Sequence, residues 1–432
     1  MKLLLIGSGA REHALAWKLR QSELTEALWF WPGAAAMEGL GKRLDMGLDA
    51  PLSDVARFAK NQGIDMVVVG PEQPLADGFA DACSALKLPC FGPLKAAAAL
   101  ESSKAFAKEI MVEAGIPTAR HSTVSGEKAC REGALAFLAQ HGGVVIKASG
   151  LASGKGVFVC TSAAAVEEAI ERLYRSGMAK AAETVVLEEI LKGRECSFFV
   201  FLGQGRPTPI GFAVDHKRLQ DQDQGPNTGG MGCYTPVPWL PADASEQVLA
   251  QVVQPLLKTL EKRGLTYTGC LYVGLMWGEK GPAVVEFNVR LGDPEAEALA
   301  VYDRRDWTAL IAAKLGLRSD PEAFEAAAKE NEGAAVAVVL ASPCYPFGDT
   351  ETKRFEIPSY VFENNSPDFC VCGGAVRLEN GRFISGKGRL LTLVARGRDI
   401  AAARQRVYTA VNDLTVNWQG VQFRRDIGLA AE

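Results

Sequence analysis

Several features that commonly reveal a protein's class are missing from this sequence. No uncharged apolar run is long enough to span a bilayer, and the apolar start Leu3–Ile6 is too short for a signal peptide. The 10 cysteines include no CxxC pair and are accompanied by only 4 histidines, so no zinc-binding spacing is present. We therefore expect a soluble enzyme in a reducing cytoplasm.

A strong charge of either sign is also missing. Lys and Arg number 47 against 51 Asp and Glu, which gives a net charge of −4 and no basic excess for a nucleic acid or a membrane surface. The apolar share of 48% is ordinary for a globular chain and excludes disorder over most of it. At about 150 residues per domain, 432 residues should form two to four domains.

Short apolar runs alternate with helical patterns over the first hundred residues. Such alternation predicts a small doubly wound domain, in which helices cover both faces of a parallel sheet. We expect strands at Lys2–Ile6, Ala27–Trp31, Met66–Val69 and Pro89–Phe91, and helices at Glu12–Arg20, Asp54–Asn61 and Leu75–Leu86.

The pattern changes beyond the first hundred residues. A compact α+β unit is predicted between Pro117 and Ile190. The last hundred residues contain a strand at Ala334–Ala341 and a hairpin with Asn380-Gly381 at its turn. The polar stretch Arg318–Glu332 is the best candidate for a linker before a C-terminal domain.

Glycine is in excess, at about 10% of the chain where about 7% is usual, and it is clustered. The first cluster, Gly7-Ser-Gly9-Ala-Arg-Glu-His13, lies between a strand and a helix, where it could bind a phosphate. NAD is disfavoured, because Glu12 replaces the third glycine of GxGxxG and the second strand ends without an acid. A tight turn without a ligand explains this cluster equally well.

The second cluster, Ser149–Gly156, follows Lys147 and contains Lys155. A loop of this composition can fold over a nucleoside triphosphate. It does not match GxxxxGK[ST], however, because a glycine follows Lys155. On this cluster alone, a mobile hairpin tip with solvated lysines is the better interpretation.

The third cluster, Gly225-Pro-Asn-Thr-Gly-Gly-Met-Gly232, follows the charged segment Asp215-His-Lys-Arg218. So many glycines exclude a helix or a central strand. The loop is therefore either disordered or wraps a ligand through its backbone amides. The neighbouring charges favour an anion, although charged segments are more often simply solvated.

The strand Val284-Val-Glu-Phe-Asn-Val-Arg290 carries the strongest chemical signal. Its alternation places Glu286, Asn288 and Arg290 on one face and turns Val285, Phe287 and Val289 to the core. Carboxylate and amide oxygens suit Mg²⁺, and the arginine can hold a transferring phosphoryl group. A solvent-facing side with a Glu–Arg pair is the alternative, but it would rarely follow two glycine-rich loops and precede Gly292-Asp-Pro-Glu295.

Together these motifs resemble the ATP-grasp superfamily, and within it the phosphoribosylamine–glycine ligase family. The resemblance covers essentially the whole chain, and the string GPNTGGMG is close to diagnostic by itself. The motifs that carry the resemblance are Arg11-Glu-His-Ala-Leu15, Val69-Gly-Pro-Glu72, Phe91-Gly-Pro93, Asp215–Arg218, Gly225–Gly232, Tyr267-Thr-Gly269 and Glu286–Glu295.

The resemblance implies an α/β and α+β architecture with four parts. Residues 1–101 would form an N-terminal α/β substrate-binding domain around the doubly wound parallel sheet. Residues 102–118 and 191–325 would form the ATP-grasp central domain, and residues 119–190 its inserted lid. Residues 326–432 would form a small C-terminal α+β domain. The lid would close on hinges near Pro117 and Ile190.

The resemblance also implies roles for single residues. Glu286 and Asn288 would hold Mg²⁺ or Mn²⁺, and Arg290, Lys147 and Asp293 would be catalytic. The residues implied for ATP are Lys104, Lys147, Gly154, Lys155, Glu188, Glu189, Leu191 and Glu195, although Glu189 is equally explained as an ordinary strand residue. The residues implied for the other substrates are Gly7, Gly9, Arg11, Glu12, His13, Asp215, Lys217, Asn227, Thr228, Gly229, Gly230, Arg290 and Asp293.

The implied reaction is an ATP-dependent ligation of purine synthesis. The carboxylate of glycine attacks the γ-phosphoryl group of ATP, which gives an acyl phosphate and ADP. The amine of 5-phosphoribosylamine then attacks the acyl phosphate, displaces phosphate and forms an amide. Because an acyl phosphate hydrolyses readily, the protein must exclude water. The resemblance implies a cytoplasmic monomer that acts on these small molecules and binds neither nucleic acid nor membrane.

The sequence departs from the family mainly in loops expected near the second substrate. The nucleotide and metal residues are intact, so the departures put the amino acid or the amine in doubt more than ATP. Two alternatives therefore stay open: a paralogue that joins a different acid or amine, and a catalytically silent nucleotide-binding protein. The departures are at Ala34–Ala36, Ser102, Ser149, Ala296-Glu297 and Lys387.

Overall fold

The computed structural model describes residues 1–151, 156–175, 179–318, 332–347, 354–363 and 365–429. The N-terminal strands are β1 Lys2–Gly7, β2 Ala27–Pro32, β3 Lys42–Arg43, β4 Met66–Val69 and β5 Cys90–Phe91. The helices here are α1 Ala10–Arg20, α2 Leu52–Asn61, α3 Glu72–Ala76, α4 Phe79–Ala85 and α5 Lys95–Ser102. All neighbouring strands are parallel, in the order β3-β2-β1-β4-β5. The predicted doubly wound parallel sheet is confirmed.

The single helix expected at Leu75–Leu86 is wrong. It is two helices, because α3 ends at Ala76 and α4 begins at Phe79. Gly78 separates them in the left-handed region, with φ of +92°, where a residue with a side chain would be strained. The short strand β3 is a further element that the periodicity does not reveal.

The segment after α5 forms a helix and a four-stranded antiparallel sheet. Helices α7 and α8 cover this small sheet with apolar faces such as that of Val166, Ala169 and Ile170. The strand order is β6-β9-β7-β8. The elements are α6 Lys104–Glu113, β6 His121–Ser125, α7 Glu127–His141, β7 Val144–Ala148, β8 Val157–Cys160, α8 Ala163–Arg175 and β9 Thr184–Glu188.

Most of the strands after β9 form one large antiparallel sheet, which helices cover. The elements up to residue 318 are β10 Arg194–Leu202, β11 Thr208–Asp215, β12 Arg218–Gln220, β13 Gln224–Asn227, β14 Gly232–Thr235, α9 Ala244–Val248, α10 Gln254–Lys262, β15 Gly269–Gly278, β16 Gly281–Asn288, α11 Glu295–Tyr302 and α12 Trp307–Lys314. A π-helical turn at Leu249–Val253 joins α9 to α10. Strands β12 and β13 pair as a separate hairpin.

The C-terminal strands extend the same large sheet. Its order is β16-β15-β10-β11-β14-β17-β22-β19, so β14 pairs directly with β17. The remaining strands form a three-stranded sheet, β18-β21-β20, whose hairpin turns at Asn380-Gly381 as predicted. The elements are β17 Ala334–Ala341, β18 Glu356–Ile357, α13 Tyr360–Glu363, β19 Phe369–Gly373, β20 Val376–Glu379, β21 Arg382–Ser385, β22 Arg389–Gly397 and α14 Ile400–Thr415.

Helix α11 lies at the centre of the molecule. It is buried from Glu295 to Val301 and packs against α1 on one side and the large sheet on the other. The ends of β1 and β16 and the glycine-rich loop before β14 therefore meet around the first turn of α11. In the described part of the chain, no helix has both the length and the apolar character needed to cross a membrane.

Candidate active site

Strand β16 presents the polar face that its alternation predicts, with one irregularity. Asn288 is buried, and Glu286 and Arg290 are partly buried beside it. A bulge shifts the register between β15 and β16 just before Glu286. The inward position expected for Val285 is wrong: Val284 is fully buried and Val285 is partly exposed, because a bulge sets two residues opposite one.

Arg290 is fixed by two carboxylates from the N-terminal part of the chain. Its Nε donates to Glu72 Oε2 at 3.2 Å, and its Nη2 lies 2.9 Å from Glu101 Oε1. Burial opposes the charge of Arg290, but Glu101 and Glu72 outweigh burial and raise its pKa. Neither carboxylate is among the predicted site residues, although Glu72 ends one of the quoted motifs.

Glu286 is an ionised carboxylate without a bonded partner. Throughout the described ranges its side chain makes no hydrogen bond or ion pair. Burial raises its pKa, but Lys217, Lys104 and Lys147 act more strongly together and hold it below its usual value. The charge of Glu286 is therefore stabilised at a distance, and its oxygens are left available to a ligand.

A divalent cation fits these residues. Glu286 and Asn288 offer hard oxygen ligands from the same face of β16. Among the residues that the structure describes, no group of three or more His, Cys, Asp or Glu could hold a metal ion. An ion at Glu286 and Asn288 would therefore complete its coordination with water or phosphate oxygens, which is the usual behaviour of Mg²⁺.

Two buried lysines share the carboxylate of Glu188 at the end of β9. Lys147 Nζ donates to Glu188 Oε2 at 2.9 Å, and Lys108 Nζ lies 3.2 Å from Glu188 Oε1. All three side chains are 3–4% exposed. Two of these residues are predicted for ATP, whereas Lys108 is not, because no motif marks it.

Three further residues predicted for ATP lie on α6, on β10 and on the segment that joins β9 to β10. Lys104 opens α6, where its backbone NH donates to Ser149 O at 2.9 Å. Leu191 is partly exposed on the segment that joins β9 to β10. Glu195 is exposed on β10 and forms an ion pair with Lys217.

Glu189 bonds to Arg120 through both its side chain and its backbone. Glu189 accepts a hydrogen bond from the backbone NH of Arg120 at 3.0 Å through Oε1, and its own NH donates to Arg120 O at 3.0 Å. Its backbone therefore continues the pairing of β9 with β6. The predictions for Gly154 and Lys155 fall outside the described residues.

The glycine-rich loop is ordered by side chains from the C-terminal part. Arg389 Nη1 donates to Gly229 O at 2.7 Å and to Asp293 O at 2.8 Å, and it pairs with Asp293 Oδ1 at 3.0 Å. The hydroxyl of Tyr345 accepts from the NH of Gly229 at 2.8 Å. At Gly230, with φ of +114°, a Cβ would lie 2.6 Å from Pro294 Cδ, so only glycine fits.

The remaining loop residues have simpler surroundings. Thr228 Oγ1 donates to Lys217 O at 2.9 Å and accepts from the NH of Gly230 at 3.0 Å. Asn227 is exposed and ends β13 opposite Arg218. The hydroxyl of Thr228 therefore shapes the loop, whereas the side chain of Asn227 faces solvent.

Asp215 ends β11 beside this loop. Its Oδ1 is shielded from solvent and accepts no hydrogen bond from the described residues. Burial, reinforced by the nearby Glu295 carboxylate, raises the pKa of Asp215 well above its usual value. A cationic group placed beside the two carboxylates would favour their charged forms, so this corner suits an ammonium group.

The turn at Gly7–His13 is closed by its own side chains. The NH of Gly9 donates to Glu12 Oε2 at 2.7 Å, and Glu12 Oε1 pairs with Arg11 Nε at 2.6 Å. A Cβ on Gly7 would lie 2.3 Å from Glu12 Cγ, so the side chain of Glu12 fills the turn. His13 Nδ1 accepts from the NH of Gly373 at 2.9 Å.

The residues that differ from the family's usual sequence lie in several kinds of structural surroundings. Ala36 packs in a 3₁₀ turn against Gly373, where a Cβ would lie 2.4 Å from Ala36 Cβ. The hydroxyl of Ser149 accepts from the NH of Ala105 at 3.1 Å, at the start of α6. Ala296 and Glu297 are fully buried in the first turn of α11. Ser102 ends α5, and Lys387 is exposed just before β22.

Comparison with known proteins shows the family of this chain. Three domains described for phosphoribosylglycinamide synthetase match the chain: the N domain at residues 1–101, the ATP-grasp (A) domain at 102–296 and the C domain at 335–430. The chain belongs to the phosphoribosylglycinamide synthetase family. The resemblance drawn from the sequence motifs is confirmed.

Curated relatives of this family match along their whole length. The phosphoribosylamine–glycine ligase of Mycobacterium leprae (strain TN) is 39% identical over 434 residues, covering 100% of this chain and 98% of that protein. The enzyme of the same name from Escherichia coli (strain K12) is 38% identical over 437 residues, covering 100% of this chain and 99% of the relative.

Solved structures confirm the fold expected for this family. The phosphoribosylamine–glycine ligase of Thermotoga maritima superposes with a TM-score of 0.79 at 29% identity, covering 99% of this chain and 100% of that one. A biotin carboxylase from Campylobacter jejuni, solved as a β-γ-ATP complex, has a TM-score of 0.72 at 16% identity over 99% of this chain and 94% of its own. This second likeness shows the fold alone.

Proposed function

We propose that this protein joins glycine to 5-phosphoribosylamine at the expense of ATP, giving glycinamide ribonucleotide, ADP and phosphate in purine synthesis. Family membership supports this reaction, and one observation carries it to the site: within the described residues, Glu286 is an ionised carboxylate without a bonded partner, and the charges of several lysines stabilise it. Such a group is suited to holding Mg²⁺ or Mn²⁺ at the phosphates of a nucleotide. We also propose that the protein is a cytoplasmic monomer, as the resemblance implies.

We propose the four-part division expected from the sequence, with the small antiparallel sheet as a lid at residues 119–190. The chain crosses between this sheet and the large sheet at 117–120 and at 189–193. Val284 NH donates to Pro117 O at 2.7 Å beside the first crossing. Short crossings of this kind are suitable hinges, and closure would keep water from an acyl phosphate.

The residues around β16 would perform the phosphoryl transfer. Lys104 and Lys147 would bind the phosphates, while Glu286 and Asn288 would hold the metal ion, which when bound neutralises charge on the phosphate oxygens. Arg290 would stabilise the charge on the transferred phosphoryl group. Because Glu72 and Glu101 already fix its guanidinium, little reorganisation is needed as that charge develops.

The corner formed by Asp215 and Glu295 would bind the ammonium group of glycine. The neighbouring loop packs closely against this corner, because a Cβ on Gly230 would lie 2.8 Å from Asp215 Oδ1. The carboxylate of the same glycine would then point toward Arg290, just after β16. Both carboxylates are therefore proposed as residues that position the amino acid.

Arg389 and Asp293 would face the ribosylamine. Asp293 Oδ2 lies 3.9 Å from the place of a Cβ on Gly9, so the Gly7–His13 turn borders the same site. Asp293 would hold the attacking amine, and Arg389 would attract the phosphate of the sugar. The turn would then form a wall of this site, since the NH of Gly9 is already bonded to Glu12.

Phosphate release by the purified chain tests the proposal. The assay contains ATP, Mg²⁺, glycine and freshly made phosphoribosylamine, and each component is omitted in turn. We expect release to depend on all of them. Turnover with another amino acid in place of glycine would instead support the paralogue, and no turnover with any amino acid would support a silent nucleotide-binding protein.

A further inference from the structure

Two chains of contacts run from the carboxylate of Glu188 to β16, and the first passes through Lys147. Lys147 Nζ donates to Glu188 Oε2 at 2.9 Å and to Val285 O at 3.0 Å. Val285 is the extra residue of the bulge in β16. Lys147 therefore links Glu188, at the end of β9, to the bulge residue directly before Glu286.

The second chain passes through Lys108 on α6. Lys108 Nζ lies 3.2 Å from Glu188 Oε1 and donates to Thr118 Oγ1 at 2.6 Å. The hydroxyl of Thr118 in turn donates to Val284 O at 2.6 Å. The two oxygens of Glu188 are thus tied to two consecutive carbonyl groups of β16, one through each lysine.

The cluster of Lys108, Lys147 and Glu188 holds one positive charge more than its carboxylate can balance. Its side chains are nearly inaccessible to water, so an uncompensated charge there is costly. Glu286 adds a negative charge at longer range on β16. An anionic nucleotide between β9 and β16 would supply the rest of the compensation.

We propose that Lys108 is a positioning residue for nucleotide binding, which holds Glu188 at the end of β9 in a fixed place relative to Glu286 on β16. Lys108 acts through Glu188 and Thr118 rather than by touching the phosphates. The proposal rests on the proposed function only for the presence of a nucleotide between these strands.

The protonation of Lys108 offers a readout that a merely structural contact would not give. Burial lowers the pKa of Lys108 to about 8, although Glu188 opposes this change. The other charged or titratable groups that act with it are Lys147 and His121. As the pH rises through about 8, Lys108 loses its proton and Glu188 loses one of its two cations, so nucleotide affinity should fall.

Calorimetric titration with MgADP between about pH 7 and pH 9 tests the proposal. We expect Lys108→Met to weaken binding at least about tenfold at the lower pH and to remove the fall at the higher pH. Lys108→Arg keeps its charge over this range and should bind without that fall. Thr118→Val, which removes the second contact of Lys108, should weaken binding by about threefold.

Lys128→Met is the matched control, because Lys128 is an exposed lysine on α7 and its loss should leave affinity unchanged. A folded Lys108→Met protein with wild-type affinity and pH profile would overturn the proposal. If that variant does not fold, a wild-type pH profile in Lys108→Arg together with wild-type affinity in Thr118→Val would overturn it. The phosphate-release assay separates this result from the proposed reaction, because wild-type protein can bind MgADP whether or not it uses glycine.

Discussion

The turn at Gly7–His13 and the polar face of β16 are both predicted from the sequence to bind ligands, but they differ in how their charged and polar groups are bonded. In the turn, Glu12 is bonded to Gly9 and Arg11, and His13 is bonded to Gly373. On β16, the carboxylate of Glu286 has no bonded partner within the described ranges, although lysines surround it.

This difference distinguishes groups that stabilise the fold from groups that can bind a ligand. A buried polar group that is fully bonded within the chain contributes to folding and has little capacity left for a ligand. A charged group that the protein stabilises only at a distance remains able to bind a counter-ion. We therefore propose that β16 carries the chemistry and that the turn has a structural role, and mutations can test each proposal.

The largest effect should come from removing the charge of Glu286. We expect Glu286→Gln to lower turnover at least about a hundredfold, or about 2.7 kcal/mol, with little change in thermal stability, because we propose that this carboxylate holds a metal ion rather than a protein group. Steady-state phosphate release measures this. Glu279→Gln is the control, since Glu279 is exposed in the turn that joins β15 to β16. Near-normal turnover of Glu286→Gln would remove the metal assignment.

The turn should respond in the opposite way. Glu12→Gln leaves the guanidinium of Arg11 without its charged partner in a buried place, so we expect a loss of about 2 kcal/mol in the free energy of unfolding. Denaturant unfolding measures this loss. The KM for phosphoribosylamine should stay within about twofold of the wild-type value. A clear change in that KM at unchanged stability would show that the turn binds the sugar phosphate.

The dependence of stability on pH in the acid range should show the structural role of His13 in the same turn. Burial lowers the pKa of His13 to about 4. Below about pH 6.5, His13 therefore takes up a proton in the unfolded chain but stays neutral in the folded protein. As the pH falls from about 6.5 to 4, His13 should therefore cost up to about 1.4 kcal/mol of stability per pH unit. His13→Asn can still accept from Gly373 but does not titrate, so its stability should fall less steeply.

His141→Asn is the control for that measurement, because His141 is partly exposed at the end of α7. His216 has a pKa lowered to about 4 by burial as well, but it contributes equally to every variant and cancels in the comparison. Equal acid slopes in the wild type and His13→Asn would contradict a buried, neutral His13.

Much of the fold could be predicted because its signals are local. The parallel sheet follows from alternating apolar runs and helical patterns, and the turn at Asn380-Gly381 follows from backbone preferences of those two residues. The polar face of β16 follows from a period of two. The break at Gly78 is also local, but a single glycine within a helical pattern is a weak signal.

The remaining features could not be predicted because they depend on distant pairings. The bulge at Val285 is set by the register of β15, and Arg389 reaches the glycine-rich loop only because β17 and β22 extend the large sheet. Lys108 lies within an ordinary amphipathic helix, and its meeting with Glu188 requires the small sheet that contains β9 to be in place. No motif in the sequence encodes such meetings.

Glu297 sharpens the comparison, because it shows that a missing partner alone does not mark a site. Both of its carboxylate oxygens are buried and lack a hydrogen-bond partner in the described part of the chain. Here, however, burial and the nearby Asp293 raise the pKa well above its usual value, and Arg389 only partly opposes them. Glu297 is therefore held as a neutral acid, whereas Glu286 is held as an anion.

The smallest effect should thus come from Glu297→Gln, and it should be a gain. Above about pH 4.3 the unfolded chain releases the proton of Glu297 while the folded protein retains it, so this residue costs more stability as the pH rises. We expect the variant to be more stable by at least about 1 kcal/mol at pH 8, with no gain near pH 4. Thermal unfolding at both values measures this, and turnover should stay within about twofold. A large loss of turnover would instead mean that Glu297 acts on the substrate through Asp293.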